Sequence, residues 1–344
     1  MTVARSQLVD VSVTRWYHVI SKTVRGALLL GEGQEDRKQW IEDRLHELTE
    51  VFAIDVAGYA VLDNHLHVLV YLSPERAEVW SDEDVVRRWG RLFPPRGKNR
   101  QPLPVSDAWV TQKLADAKFL QQARKRLGDL GWFMKCLKEP LARRANKEDG
   151  CQGAFWQSRY KSIAVLDEEA LLATCAYIDL NPVAAGVAAT PEDSPYTSVR
   201  RRVEHCQQQG RLDDLQAARE GSVAAAKQAR GLDTGDWLCP INDERGRGGE
   251  RVGLLEGLSL GTYLQIVDWT SRLLREGKAR VSDEVASILD RLGTTSDAWS
   301  STMGRLFSRS KILGVAFSFH RERLKEAAAQ RGCHHLANLN GCPT

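Results

Sequence analysis

Two histidines separated by one residue are the first feature of this sequence whose spacing suggests chemistry. His65 and His67 follow Asp63-Asn64, which lies between two short apolar runs, and Asp and Asn are favoured in turns. The pattern predicts a hairpin whose second strand begins at His65. Alternate side chains of a strand share a face, so both imidazoles point to one side. They can bind one divalent metal if a third ligand comes from elsewhere; the alternative is a pair of half-exposed strand histidines.

A tyrosine and an asparagine four residues apart supply further chemistry. Tyr177 and Asn181 fall on one predicted helix, where this spacing places them on the same face. The Asn181 amide oxygen can be the third metal ligand, and the Tyr177 phenol can attack a phosphodiester that a metal polarises, leaving a covalent phosphotyrosine. The alternatives are that Tyr177 is a buried core residue, or that Tyr160 or Tyr196 is the nucleophile. Neither of these two has a ligand-type residue four positions further on.

Positive charge is clustered along the chain although the net charge is only +3. Clustered Lys and Arg attract a phosphate backbone, whereas a solvated face balanced by nearby acids is the alternative for each cluster. The candidate nucleic-acid contacts are Arg96, Lys98, Arg100, Arg143, Arg144, Arg159, Arg200 and Arg201.

Composition places the chain among ordinary globular proteins. With 42% hydrophobic and 27% charged residues, it has no apolar run long enough to cross a bilayer, and the first ten residues lack the apolar core of a secretory signal. A cytoplasmic protein without a membrane partner is expected. The seven cysteines form no CxxC pair, which excludes a zinc ribbon of that type and a CxxC redox motif and indicates reduced thiols.

The elements that must position these residues follow a simple order. Periodicity predicts strands near 15–21, 54–61, 66–72 and 160–166, with helices between and after them. This is an α+β fold with the βαββαβ order of a ferredoxin-like antiparallel sandwich, followed by one appended helix. Helices are expected on one face of the sheet and the histidines on the other face or at its rim. Pro182 predicts that the appended helix ends near Asn181, and Pro140 predicts a kink or a boundary.

The sequence suggests three regions. Residues 1–203 are predicted to be the catalytic domain, and 204–250 a helical linker with a charged loop at its end. Residues 251–344 are predicted to form a small all-α domain, because amphipathic segments recur at about 260–276, 282–292, 298–307 and 312–330.

Several motifs together resemble a known family. The stretch at 62–70, which contains the two histidines, resembles the HUH motif of the single-tyrosine transposases, and 177–186 resembles their tyrosine helix. Residues 153–160 and Tyr17-His18-Val19 look like the branch associated with repetitive extragenic palindromes (REP). The resemblance covers about residues 12–202. Asp63 stands where many relatives have Pro, Ala184 where they often have Arg, and 93–104 looks like an insertion.

The resemblance implies a function. It implies a Mg²⁺ or Mn²⁺ ion and cleavage of single-stranded DNA beside palindromic hairpins, with a 5′-phosphotyrosine intermediate and a free 3′-hydroxyl. Tyr177 matches the nucleophile, and His65, His67 and Asn181 match the metal ligands. Two alternatives stay open: a non-catalytic hairpin-binding protein or repressor, and a metal-dependent nuclease that uses water. The oligomeric state is also open, a homodimer being one alternative.

Overall fold

The structure, a computed structural model, describes residues 8–31, 33, 35–219, 231–244, 251–276, 289, 294–307 and 316–330. A five-stranded sheet is combined with helices, which confirms the predicted α+β class. The strands are β1 Trp16–Lys22, β2 Ile54–Val61, β3 His65–Leu72, β4 Lys161–Val165 and β5 Ala316–Phe317. The α-helices are α1 Glu35–Val51, α2 Pro74–Val79, α3 Asp82–Leu92, α4 Asp107–Leu114, α5 Ala117–Leu127, α6 Leu130–Glu148, α7 Glu168–Ala184, α8 Ser198–Gln208, α9 Leu212–Arg219, α10 Leu260–Glu276, α11 Ser296–Phe307 and α12 Arg321–Gln330.

The strand order across the sheet is β2-β3-β1-β4-β5. The pairs β2–β3, β3–β1 and β1–β4 are antiparallel, whereas β4 and β5 are parallel. The predicted hairpin at Asp63-Asn64 is confirmed, because β2 and β3 flank this turn and the second strand begins at His65. β3 is therefore an inner strand, and its histidines lie against β1 on one side and β2 on the other.

Each face of the sheet has its own hydrophobic core. Tyr17 and Val68 point to one face, where they pack with buried residues of α1 and α6 such as Leu45 and Phe133. The neighbouring positions along the same strands point to the other face, where Leu69 packs with residues of α7 and α10. This alternation follows from the two-residue period of a strand. It places His65 and His67 on the face that α7 covers.

The residues beyond 251 share a core with α7 and the sheet. Leu264 and Trp299 belong to the same hydrophobic cluster as Leu172 and Ile178. The sequence predicted that this region is all-α. The structure differs, because β5 pairs with β4 through Ala164–Ala316 and Val165–Phe317. An open strand edge offers unpaired backbone groups, and β5 satisfies some of them. The predicted segment 282–292 lies outside the described residues except for residue 289.

Two helices run through prolines that were predicted to interrupt them. α6 continues through Pro140, and α7 continues through Pro182 to Ala184. A proline removes one backbone donor and crowds the preceding turn, but the packing of α7, whose residues from 169 to 176 are all buried, outweighs that cost. The Ala185 amide donates to the Asn181 carbonyl at 2.9 Å, so helical bonding resumes just after the proline. Asn181 consequently lies within the helix and not at its end.

Within the part of the chain that the structure describes, no helix combines the length and apolar character that a membrane span needs.

Candidate active site

The helix α7 carries the tyrosine and holds it against the sheet. Its N-terminus is capped by Asp167, whose carboxylate accepts a hydrogen bond from the Ala170 amide at 2.8 Å, and acidic residues in the first turn suit the helix dipole. Small and branched apolar residues bury the helix along most of its length. The Tyr177 ring consequently meets two imidazoles edge to face, with ring centroids 5.5 Å from His67 and 6.0 Å from His18.

The two histidines of β3 lie on one face, as their spacing predicted. The His65 and His67 ring centroids are 4.9 Å apart. His65 pairs with Lys22 at the end of β1, and His67 pairs with Ile20. His67 is 3% exposed, whereas His65 is half-buried at the rim. The site therefore opens towards the end of β3 at which His65 lies.

A third histidine, His18 of β1, contacts His67 directly. His18 Nε2 lies 2.8 Å from His67 Nδ1, and their rings are stacked with centroids 5.0 Å apart. One of these two nitrogens must carry the shared proton. If His67 Nδ1 donates it, His67 Nε2 is left with a free lone pair. Among the described residues that Nε2 atom is buried without a hydrogen-bond partner, as a metal-binding nitrogen is expected to be when the metal is left out.

Two asparagines orient the remaining groups. The Asn64 Oδ1 atom lies 2.6 Å from His65 Nδ1, and its amide nitrogen donates to the Gly26 carbonyl at 3.1 Å. This contact occupies Nδ1 and leaves the Nε2 atom of His65 as its candidate ligand. Asn181 is buried on α7 one helical turn after Tyr177, and it opposes the effect of burial on the pKa of both His65 and Tyr177. The four residues that the sequence nominated for chemistry are thus brought together in space.

Burial sets the protonation states of these groups. It lowers the pKa of His65 to about 4 and that of His18 to about 3. Burial, reinforced by the two neighbouring imidazoles, holds the pKa of His67 well below its usual range. All three rings are therefore neutral at pH 7, the form in which imidazole binds metals. Burial raises the pKa of Tyr177 above its usual value, although the Asn181 hydrogen bond opposes this.

Two imidazoles and one amide oxygen, the donor types present here, are groups that divalent metals accept. Within the described ranges, no group of three or more His, Cys, Asp or Glu residues is arranged to hold a metal. Asn181 would therefore have to complete the set with His65 and His67. A site of two nitrogens and one neutral oxygen leaves further positions for water and phosphate oxygens.

The competing tyrosines lie elsewhere. Tyr160 is 8% exposed and belongs to the core on the opposite face of the sheet. Tyr196 packs against that same core and has Lys38 5.8 Å from its ring centroid. Of the three tyrosines considered, Tyr177 is the one that contacts the histidines.

Four of the eight candidate nucleic-acid contacts form ion pairs within the protein. The pairs are Arg143 with Glu139 (3.4 Å), Arg144 with Glu148 (3.5 Å), Arg200 with Glu204 (2.6 Å) and Arg201 with Asp236 (2.9 Å). Arg144 also stacks over Trp40, with its guanidinium carbon 3.2 Å from the ring centroid. An acid beside each guanidinium offsets part of the field that would attract phosphate.

The other four candidates are exposed. Arg96, Lys98 and Arg100 lie in the loop between α3 and α4, where Arg96 donates to the Arg100 carbonyl at 3.0 Å. α3 packs through Val85 into the core on the opposite side of the sheet from Tyr177, so the structure does not bring this loop to the histidines. Arg159 lies just before β4 and lines a surface cavity.

Two residues at the site were missed by sequence reasoning. His18 was not among the predicted site residues, because the register between β1 and β3 is not readable from the sequence. Phe307, at the end of α11, stacks against Tyr177 with ring centroids 4.9 Å apart. It is 130 positions away along the chain, and nothing in its local pattern links it to the site.

Comparisons with known proteins add little to this geometry. No protein-family model matches the chain, and no curated protein matches it. A solved structure of a REP-associated tyrosine transposase bound to a REP hairpin is similar at 15% identity and a TM-score of 0.32, covering 55% of this chain and 78% of that chain. A similarity at this level carries no information about the site or its reaction.

Proposed function

We propose that this protein is a metal-dependent DNA strand transferase, of the transposase or nicking-endonuclease type, that cleaves single-stranded DNA beside hairpins. The observation that carries the proposal is the contact of the Tyr177 ring with the His18–His67 pair, with ring centroids 5.5 Å from His67 and 6.0 Å from His18. A phenol that can act as a nucleophile, next to imidazole and amide groups that can hold a metal, suits a phosphotyrosine-forming site. The motif resemblance and the strand order support a ferredoxin-like catalytic core.

Each of the four site residues has its own role in the proposed reaction. Tyr177 Oη forms a bond to phosphorus while the bond from phosphorus to the 3′ oxygen breaks. Solvent takes up the phenolic proton and supplies a proton to the departing 3′ oxygen, which is released as a hydroxyl. Burial raises the pKa of the Tyr177 phenol, and Asn181 opposes that rise. His65, His67 and Asn181 would hold a Mg²⁺ or Mn²⁺ ion, which supplies charge that stabilises the phosphorane-like transition state. The reverse attack by a 3′-hydroxyl rejoins DNA without an external energy source.

A cleavage assay tests the proposed function. The protein is incubated with an oligonucleotide that folds into a hairpin with single-stranded flanks, in Mn²⁺ or in EDTA, beside a fully duplex control. Cleavage of the flank that needs the metal supports the proposal. Retarded hairpin DNA on a native gel without cleavage under either condition would instead favour the non-catalytic binding protein.

Replacing the buried ligand should remove metal binding. His67→Phe keeps a ring of similar size in the same place but removes both ring nitrogens. We expect Mn²⁺ affinity to fall at least ~100-fold, since loss of an outer-shell partner alone costs about 10–100-fold. Calorimetric titration measures this directly, and His46→Phe is the matched control because His46 is half-exposed on α1, which packs on the opposite face of the sheet. An unchanged affinity in His67→Phe would show that His67 does not bind the metal.

His18 should act as a positioning residue for His67. His18→Phe fills the same space but cannot accept the proton of His67 Nδ1, which lies 2.8 Å away. We expect Mn²⁺ affinity to fall about 10–100-fold, with the ¹⁵N shifts of His67 reporting a changed tautomer. If His18 has a purely structural role, His18→Phe lowers the melting temperature but leaves the ¹⁵N shifts of His67 as they are in the unchanged protein.

A further inference from the structure

Several cations in the described part of the chain have no acidic partner, and two of them, Lys22 and Lys161, lie beside the candidate active site. Among the described residues, Lys22, Lys161, Arg159 and Lys135 are exposed, Arg126 is half-buried, and none of the five forms an ion pair. They differ in this from Arg143, Arg144, Arg200 and Arg201, each of which has an acid within 4 Å. A cation without an acid beside it keeps its attraction for phosphate.

These five cations follow one another across the surface and are called the basic band. Lys22 pairs with His65 across β1 and β3, and Lys161 pairs with Ile20, two residues before Lys22. By strand alternation Lys22 and Lys161 lie on the same face as His65. The basic band therefore begins beside the candidate active site.

A cavity and an aromatic ring continue the basic band past the start of β4 to the opposite face of the sheet, because Met134 and Tyr160 of the cavity wall belong to the core that α1 and α6 cover. Arg159, two residues before Lys161, lines a cavity of about 500 Å³ together with Lys135 of α6, a volume within the range of ligand pockets. Lys135 Nζ lies 4.5 Å from the Trp132 ring centroid, and the Arg126 guanidinium carbon lies 4.4 Å from it. The aromatic ring places these two cations without neutralising them.

We propose that the basic band binds the phosphate backbone of the single-stranded DNA flank that runs from the scissile position. This rests on the proposed function and names the surface that holds its substrate. The flank is favoured over the hairpin stem because the basic band starts at the rim where His65 lies, and a strand at the site meets Lys22 and Lys161 first. Interleaved cations and aromatic rings are typical of single-strand grooves.

The test compares two double variants of the full chain, each of which alters at least one residue of α6. Lys135→Ala with Arg159→Ala removes the middle of the basic band; Arg143→Ala with Arg144→Ala removes two ion-paired arginines. Binding of a fluorescent hairpin with a single-stranded flank is measured in EDTA, so that no cleavage occurs, at several salt concentrations. Lys135→Gln with Arg159→Gln repeats the test with longer polar side chains, and equal melting temperatures establish folding.

Weaker binding with a smaller salt dependence is the expected result. The basic-band variants should bind about tenfold or more weakly, and the salt slope should become shallower by about 0.7–0.9 for each phosphate that the variant no longer neutralises. The Arg143 and Arg144 double variant should bind within about twofold of the unchanged protein. Equal affinity and slope in the basic-band variants would overturn the inference.

Two further arms separate the possible failures. An oligonucleotide that contains the stem alone should bind the basic-band variants and the unchanged protein equally; an equal loss of affinity for the stem would overturn the assignment to the flank. If the unchanged protein cleaves the hairpin substrate while the basic-band variants bind it normally, the inference fails and the proposed function stands. If the unchanged protein binds no DNA at all, both fail.

Discussion

Tyr177→Phe is expected to lower the rate of DNA cleavage by ~10³-fold or more, because it removes the proposed nucleophile and keeps the ring. The ring that packs against His18, His67 and Phe307 is retained. The hydroxyl group interacts with Asn181, so its loss costs little of the core packing. Single-turnover cleavage of the flanked hairpin in Mn²⁺, with variant and unchanged protein side by side, measures the effect.

The matched control is Tyr160→Phe. Tyr160 is a second buried tyrosine, but it lies in the core on the opposite face of the sheet, so its hydroxyl is distant from the histidines. We expect this variant to cleave within a few-fold of the unchanged protein. If Tyr177→Phe cleaves at the normal rate with a normal melting temperature, water is the nucleophile and the protein is a metal-dependent nuclease.

Asp179→Ala is expected to cause the largest loss of stability, about 3–5 kcal/mol of the free energy of unfolding. Asp179 is fully buried on α7. Its carboxylate accepts hydrogen bonds from the Ser198 hydroxyl, from the Val199 amide at 3.0 Å and from the Tyr263 hydroxyl. One side chain thus joins the tyrosine helix to α8 and to α10. Its removal leaves the Val199 amide without its acceptor, and it leaves the two buried hydroxyls of Ser198 and Tyr263 with only longer contacts, to the Tyr59 carbonyl and to Cys175 Sγ, each at 3.3 Å.

Asp179→Asn distinguishes the contribution of the carboxylate charge to stability from that of its hydrogen bonds. Burial raises the pKa of Asp179, and the hydrogen bonds from Ser198 and Tyr263 oppose this. The amide keeps the shape of the side chain and one acceptor oxygen, so we expect it to lose about half as much stability as alanine. Urea unfolding at pH 7 measures both variants. A loss below about 1 kcal/mol for Asp179→Ala would show that the carboxylate does not hold the three helices together.

Local features of the site could be predicted from the sequence. The turn at Asp63-Asn64 and the alternation that follows it place His65 and His67 on one face, and helical spacing places Tyr177 beside Asn181. These relations depend on a few consecutive residues and on the periods of strand and helix. The α+β class follows from the order of such segments.

Long-range features could not be predicted in the same way. The contact of His18 with His67 depends on strand register, and the contact of Phe307 with Tyr177 depends on how the C-terminal helices pack. The continuation of α7 past Pro182 reflects tertiary packing that outweighs a local preference. Arg201 looked like a solvent-exposed cation, but the fold brings Asp236 to within 2.9 Å of it. Sequence patterns do not carry that information.

The phosphotyrosine mechanism is most directly tested by following the two ends of the cleaved DNA. The flanked hairpin is labelled at its 3′ end or its 5′ end, incubated with the protein and Mn²⁺, and run on a denaturing gel, and the modified tryptic peptide is identified by mass spectrometry. We expect the 3′ label to stay with the protein on Tyr177 and the 5′ label to be released with a free 3′-hydroxyl. Cleavage with no protein-linked label, or a label on another tyrosine, would contradict this mechanism.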